Sequence, residues 1–218
     1  MSERLRVLLA DDHAIIRDGL RQILAETADM VVTGEAANGQ QLLEKLANGA
    51  WDVLVLDISM PGRNGLDLIR QVRAEQPDLP ILILSMHQEE QYALRALRQG
   101  AAGYLTKESD ADLLVAVIRK VALGGMHISP AVAELMARNM RQGSEKAPHT
   151  LLSDREYQVL LMLAGGKGST DIARELSLSV KTVSTHKARI LQKMGLNNGA
   201  ELIRYAIGHR LVDADDAE

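Results

Sequence analysis

Cysteine is absent from the 218-residue chain, and so is phenylalanine; Trp51 is the single tryptophan, and aromatic residues make up 2% of the total. Without cysteine there is no disulfide scaffold, no thiolate zinc site and no cysteine nucleophile. So few rings exclude the stacking platforms that hold single-stranded nucleic acids. Any core must be built from Leu, Ile, Val and Ala. Long apolar runs are missing too. The first, in MSERLRVLLADDHAI, stops at two aspartates after about five residues, unlike a secretion signal. None approaches the roughly 18–20 residues of a membrane span. The expectation is a soluble, cytoplasmic protein with no membrane partner.

What is present suits a globular protein. Apolar residues make up 46% and charged residues 25%, enough apolar matter to exclude bulk disorder. The length fits one large or two modest domains. The net charge of −4 is unevenly spread. Residues 1–143 carry 15 basic and 19 acidic side chains, residues 144–212 carry 10 and 6, and the tail at 213–218 adds four acids. An acidic front and a mildly basic back suggest two jobs.

In the front, short apolar runs at 5–10, 30–36, 51–57, 80–85 and 101–106 alternate with amphipathic stretches. That pattern predicts a doubly wound, five-stranded parallel sheet with helices on both faces. Its last helix covers 109–124 and stops at Gly124-Gly125. A short helix over 129–141 opens with Ser129-Pro130. The small, polar stretch RQGSEKAPHT (141–150) reads as a linker. The back is all helical. A capping box at Ser153 and Glu156 opens a helix that runs to Ala164, and glycines at 165, 166 and 168 break it. Helices follow at 169–176, at 180–194 between Ser179 and Gly195, and at 199–209. The expected layout is an α/β domain over 4–122, a linker with a short helix over 123–149, a four-helix domain over 150–212 and an acidic tail over 213–218.

In an open parallel sheet, ligands sit beyond the carboxyl ends of the strands, where strand order reverses. The first strand ends at Asp11-Asp12, the third at Asp57, the fourth at Ser85 and the fifth at Thr106-Lys107. With strand order 2-1-3-4-5 these groups converge on one crevice. Three crowded carboxylates repel one another unless a cation sits among them. An oxygen-only donor set favours Mg2+. Lys107 supplies a fixed positive charge and Ser85 a hydroxyl, so one carboxylate can act as nucleophile toward a phosphoryl group. Each signal alone is weak. An aspartate at a strand end commonly caps a loop, an acid pair before a helix suits its dipole, and a terminal lysine is commonly solvated. The set in chain order is what discriminates. His13 is expected to point along the first helix rather than bind metal. Trp51 and Met60 are expected to pack. GGKGST (165–170) lacks the spacing of a phosphate loop.

VLLADDH (7–13), VLDISMPGRNG (55–65), ILILSM (81–86) and GAAGYLTK (100–107) together resemble the receiver domain of bacterial response regulators, a flavodoxin-like fold. The resemblance implies that Asp57 is the phosphoacceptor. It implies Mg2+ held directly by Asp12, Asp57 and the backbone carbonyl of Ser59, with Asp11 acting through water. Lys107 would pair with the phosphoryl group, Ser85 would be the switch hydroxyl and Tyr104 the switch aromatic. A phosphoryl group adds about two negative charges. Ser85 would swing to bond it and Tyr104 would turn inward behind, a local charge event that biases a two-state element. Aspartate-nucleophile phosphohydrolases share the equipment, but they use a second acid two residues after the nucleophile. Ser59 stands there, so no turnover enzyme is expected.

The two central helices of the back domain, joined by a short turn, have the layout of a helix-turn-helix. Ile172, Ala173 and Leu176 would pack the first helix and Val183, Ile190 and Met194 the second. Lys181, Ser184, Thr185, Ala188 and Gln192 share the opposite face. From Lys181 to Lys193 there are four basic residues and no acid. Charge alone leaves a bundle with one solvated basic face equally open. LSDREYQVLLMLAGGKGSTDIARELSLSVKTVSTHKARILQKMGL (152–196) is similar to the LuxR-type DNA-binding domain, and joined to a receiver it resembles the NarL/FixJ class. The resemblance implies that Lys181, Ser184, Thr185 and Ala188 face bases, that Lys187, Arg189 and Lys193 meet the DNA backbone, and that His186 packs inside. Ser184 stands where the family often has lysine, and arginine is frequent near Asn198. In the family, dimers form through the last helix, where Leu202, Ile203, Ala206 and Ile207 give an apolar stripe that could equally be core, and part of which must be. The expected protein is a transcription regulator switched by a sensor histidine kinase and bound to double-stranded promoter DNA as a homodimer. The alternative is a helical domain that binds protein or RNA.

Overall fold

The apolar runs of the front half form β1 (Leu5–Ala10), β2 (Met30–Ala36), β3 (Val53–Asp57), β4 (Ile81–Ser85) and β5 (Gly103–Thr106). The structure, a computed structural model, describes residues 4–60, 65–85, 90–141, 147–209 and 211–212. The chain folds as two compact units, Met1–Ala137 and Arg138–Glu218.

All strand pairs are parallel, in the order β2-β1-β3-β4-β5. Every residue of β3 and β4 is buried, as strands covered on both faces must be. The first unit's helices are α1 (Ala14–Ala25), α2 (Gly39–Asn48), α3 (Gly65–Glu75), α4 (Glu90–Arg98) and α5 (Ala111–Ala122), and α6 (Pro130–Arg141) follows them across the boundary. Alternation along the strands sends Val7, Leu9, Val53, Val55, Leu82, Leu84 and Leu105 to the face covered by Leu20 and Leu24 of α1 and Leu114, Val117, Ile118 and Val121 of α5. Truncating one such leucine, Leu82→Ala, costs about 2–5 kcal/mol. Ile83 pairs with Tyr104, so Ser85 and Tyr104 share the opposite face.

β3 starts at Val53, two residues later than the sequence suggests, although Asp52 N already donates to Arg6 O of β1 at 2.9 Å. The Asp52 carboxylate accepts from Arg6 N at 2.7 Å, Nε at 3.1 Å and a terminal guanidinium nitrogen at 3.0 Å, clasping the start of β1. Trp51 is a packing residue whose ring lies across Gly34, where a Cβ would collide with it. Met60 is buried as expected.

The second unit contains a 3-10 turn (Pro148–Leu151), α7 (Asp154–Ala164), α8 (Ser169–Glu175), α9 (Val180–Met194) and α10 (Gly199–Gly208). The capping box forms at both bonds: Ser153 N donates to Glu156 Oε2 at 2.8 Å, and Glu156 N donates to Ser153 Oγ at 3.3 Å. Ser179 caps α9 and Gly195 closes it in the left-handed region, φ +66°. In the α8–α9 turn, Ser177 carries φ +53°, a left-handed conformation at a residue with a Cβ. Tyr157, Leu160, Ile172, Val183, Ile190 and Leu202 are buried between the helices. Packing reaches into the stretch read as linker from both sides. His127 N donates to Ala102 O at 2.9 Å beside β5, and buried His149 meets Tyr205 OH at 2.8 Å. Residues 142–146 and the acidic tail at 213–218 lie outside the described residues. Among the described residues no helix is long and apolar enough to cross a membrane.

Candidate functional site

Strand order reverses between β1 and β3, and this brings the acids that follow them together. Asp57 ends β3, with its side chain fully buried; Asp11, just past β1, is 3% exposed. Lys107 follows β5 and is fixed by its own N–H, which donates to Ser85 O at 2.8 Å. Its ammonium, 4% exposed, stands 2.7 Å from Asp11 Oδ2 and 2.7 Å from Asp57 Oδ2. Asp57 Oδ1 accepts from Ser59 N at 2.8 Å, and Asp11 Oδ1 from His13 N at 2.8 Å. Ser85 is buried, and Tyr104 is half-buried.

The charge balance of the pocket is strained. Burial pushes the Asp57 carboxyl above its ordinary range; the bonds from Lys107 and Ser59 offset this in part, and Asp11 adds to it. Burial works against the charge on Lys107, but Asp11 and Asp57 outweigh it and hold its pKa above the ordinary value. One lysine thus faces two carboxylates, and a third, Asp12, belongs to the same cluster. Ligand atoms of Asp11, Asp12, His13 and Asp57 all lie within 4.8 Å of one another. Asp12 Oδ1 is buried, and among the described residues no hydrogen bond reaches it. An acceptor-only oxygen left over beside two further carboxylates suits a hard divalent cation, so the donor set fits Mg2+.

Two placements were not foreseen. His13 turns back instead of following α1, and its Nδ1 is 3.2 Å from both Asp11 Oδ1 and Asp12 Oδ1. Arg17, one turn into α1, donates to Asp11 O at 2.6 Å and approaches Glu35 Oε2 at 3.4 Å, tying the end of β1 to β2. The acid pair gave no sign of this bond, because it depends on how α1 docks.

In the second unit, α9 buries Val183, Ile190 and Met194 and exposes Lys181, Ser184, Thr185, Ala188, Arg189 and Gln192. Lys187 and His186 are half-buried. Burial, with Arg155 nearby, lowers the His186 pKa, which suits a packed ring. Ser184 Oγ donates to Val180 O at 3.0 Å and Thr185 Oγ1 to Lys181 O at 2.9 Å, so both hydroxyls present their acceptor side outward from their own helix bonds. Lys193 is the exception in the basic set. Its Nζ donates to buried Glu156 Oε2 at 2.6 Å, which spends its charge inside the domain. Val180, 47% exposed, is an apolar residue on the same face that residue-type reasoning passed over; its spacing of four from Ser184 was the available signal. On α10, Leu202 and Ala206 are core, while Ile203 and Ile207 stay half-buried.

Residues 7–119 match the response regulator receiver domain, and residues 150–206 match the bacterial regulatory proteins of the luxR family. The chain is 36% identical over 211 residues to the response regulator GacA of Pseudomonas viridiflava, covering 96% of this chain and 99% of that protein. It is 36% identical over 216 residues to the oxygen regulatory protein NreC of Staphylococcus carnosus, covering 96% and 100%. Among solved structures it is similar to RcsB of Salmonella enterica serovar Typhimurium bound to promoter P1flhDC in the presence of the phosphomimetic BeF3−. There the TM-score is 0.65 at 28% identity, covering 93% of this chain and 98% of that one. A receiver followed by a luxR-family domain, aligned nearly end to end with relatives of the same build, makes the chain a member of the NarL/FixJ class of two-component response regulators, a family of DNA-binding transcription regulators rather than turnover enzymes.

Proposed function

We propose that Asp57 accepts a phosphoryl group from a sensor histidine kinase and that the phosphorylated chain binds promoter DNA as a homodimer. The observation that carries this is the buried Asp57 carboxylate, with Lys107 at 2.7 Å and two further acids in the same cluster. An Asp57 oxygen forms the new O–P bond as the N–P bond of the kinase phosphohistidine breaks, its electron pair leaving on the imidazole nitrogen. Asp12, Asp57 and the Ser59 carbonyl would hold Mg2+, with Asp11 supporting them through water, and the ion would supply charge neutralisation for the incoming phosphoryl oxygens. Lys107 exchanges its carboxylate partner for one of those oxygens. Ser85 donates its hydroxyl to another, and Tyr104, on the same sheet face, turns into the space that Ser85 leaves.

The receiver occupies 4–122, the connecting segment 123–149 and the DNA-binding domain 150–212, with an acidic tail beyond. Lys181, Ser184, Thr185 and Ala188, joined by Val180, face base edges in the major groove, where an exposed apolar side chain suits a thymine methyl. Lys187 and Arg189 meet phosphates. Lys193 sets the pose of α9 through Glu156 instead of spending its charge on DNA. Ile203 and Ile207 give α10 its remaining apolar surface for a second copy. A regulator of this kind works where the chromosome is, in the cytoplasm.

The test is DNA binding to genomic fragments with and without acetyl phosphate and Mg2+, for wild type and Asp57→Ala. Tighter binding only by phosphorylated wild type is expected. Equal binding by both proteins under both conditions would remove Asp57 from the switch.

A further inference from the structure

We infer that Val180 and Ser184 set the half-site this chain reads, Val180 by contact with a thymine methyl and Ser184 by accepting from the exocyclic amino group of a base no more than two pairs away. The inference rests on the reading of α9 as the helix in the major groove and concerns which bases that helix selects.

Three observations carry it. The first is position. Val180 is the first residue of α9, and in a helix-turn-helix the N-terminal residues of the second helix reach base edges. It is 47% exposed, and Ser184, one turn on, is exposed beside it. The second is that neither the start of the helix nor the core calls for a valine here. Ser179 caps α9, its Oγ accepting from Thr182 N at 3.0 Å, and Val183, Ile190 and Met194 fill the buried side. The first turns of α7, α8 and α10 carry acids, which suit the helix dipole; that of α9 carries none, and an exposed apolar residue opens it. A local preference set aside on an exposed surface points to another use of that surface. The third is the state of the hydroxyl. Ser184 Oγ donates its one proton to Val180 O at 3.0 Å, so toward a partner it can only accept.

The major groove offers few matches to such a pair. The thymine methyl is its apolar group, and only adenine N6 and cytosine N4 donate there; the polar atoms of guanine and thymine are all acceptors. Residues four apart on a helix are separated by about 6 Å along its axis, close to two base-pair steps. The two side chains therefore fit a thymine and an amino-bearing base within two pairs of each other.

The full chain, treated with acetyl phosphate and Mg2+, selects duplexes from a random pool, as do Val180→Ala and Ser184→Ala. Both positions are exposed, so both variants are expected to fold. The best wild-type duplex is remade with uracil for each thymine in turn, which removes only the methyl, and with each base pair at the neighbouring positions. One uracil per half-site is expected to weaken wild type about 4-fold, and the same change should weaken Val180→Ala less than about 2-fold. At the neighbouring position wild type should discriminate by about 10-fold in favour of adenine or cytosine, and which of the two it keeps tells the amino groups apart. Ser184→Ala should lose that preference. The salt dependence of both variants should match wild type, because neither side chain carries charge. Wild type indifferent to every uracil, or Val180→Ala with the wild-type response, overturns the role of Val180. Ser184→Ala with the wild-type base preference overturns that of Ser184. Binding to duplexes without sequence preference overturns the inference and leaves DNA binding standing; binding to none overturns both readings.

Discussion

Each unit of the chain sets a buried carboxylate against a lysine, and the two pairs behave in opposite ways. In the receiver, Asp57 meets Lys107 at 2.7 Å, and its carboxyl is pushed above its ordinary range. In the DNA-binding unit, Glu156 meets Lys193 at 2.6 Å. Burial pushes its carboxyl up as well, but Lys193 and two bonds with Ser153 overcome that and hold it below the ordinary range. The difference lies in the company each keeps. Glu156 sits in a helix N-terminal turn with two donors for one oxygen and no second acid in the pair. Asp57 shares its lysine with Asp11, and Asp12 stands beside them. A carboxylate whose needs are met holds a helix in place; one left in surplus negative charge suits the cation and phosphoryl group proposed for it.

Removing each lysine or acid tests that contrast. The largest effect is expected from Lys107→Met. It strands two buried carboxylates, and losing one partner of a buried pair costs about 3 kcal/mol or more. Hydrogen exchange of the β3 and β4 amides should speed up in the metal-free variant and recover substantially on adding Mg2+. No recovery would mean that Lys107, and not a cation, is the pocket's essential counter-charge. Next comes Glu156→Ala. It dissolves the capping box at α7, worth about 1–2 kcal/mol by analogy with other N-caps. Exchange should speed up in α7 and α9 and remain unchanged in β3.

Proton linkage separates the pairs by sign. The folded-state pKa of Asp57 is raised, so its contribution to stability is fully present below the unfolded value and is lost as pH rises through the folded one. The folded-state pKa of Glu156 is lowered, so its contribution is present above the unfolded value and is lost as pH falls through the folded one. Taken against Asp57→Asn, the protection of β3 in metal-free wild type should improve on acidification. Taken against Glu156→Gln, the protection of α7 should decline. Both moving in the same direction would dissolve the contrast.

The receiver pocket was legible in the chain because its members are strand-end residues, and the parallel topology fixes where strand ends go. Asp11, Asp57, Ser85 and Lys107 needed only the order of five apolar runs. Helix boundaries followed from Ser153, Ser179 and Gly195, whose capping acts within a few residues. What escaped was everything decided by docking between elements. Arg17 reaches Asp11 O only because α1 lies against the sheet as it does, and Lys193 meets Glu156 across 37 positions of chain. The basic run from Lys181 to Lys193 therefore reads as one DNA-facing set, although its last member is paired with Glu156. The placement of His13 against Asp11 and Asp12 escapes for a related reason. A histidine after an acid pair carries no pattern that distinguishes following the helix from folding back.

The smallest effect sharpens the comparison furthest. Lys193 is 42% exposed, so its pair with Glu156 is screened by solvent, and Lys193→Met should cost less than about 1 kcal/mol. Its signature is elsewhere. Each phosphate neutralised by a protein cation contributes about −0.9 to the slope of log Kobs against log salt. Arg189 is exposed on α9 and should account for about one such unit per subunit, so Arg189→Ala makes the slope shallower by that amount. Lys193→Met should leave the slope where it is, because its ammonium already neutralises a carboxylate inside the domain. Affinity would fall only as far as α9 loses its pose, equally at low and high salt. A shallower slope in Lys193→Met would show that the lysine leaves Glu156 for DNA. The second pair would then be a poised charge like the first, and the contrast between the two units would hold only in the free protein.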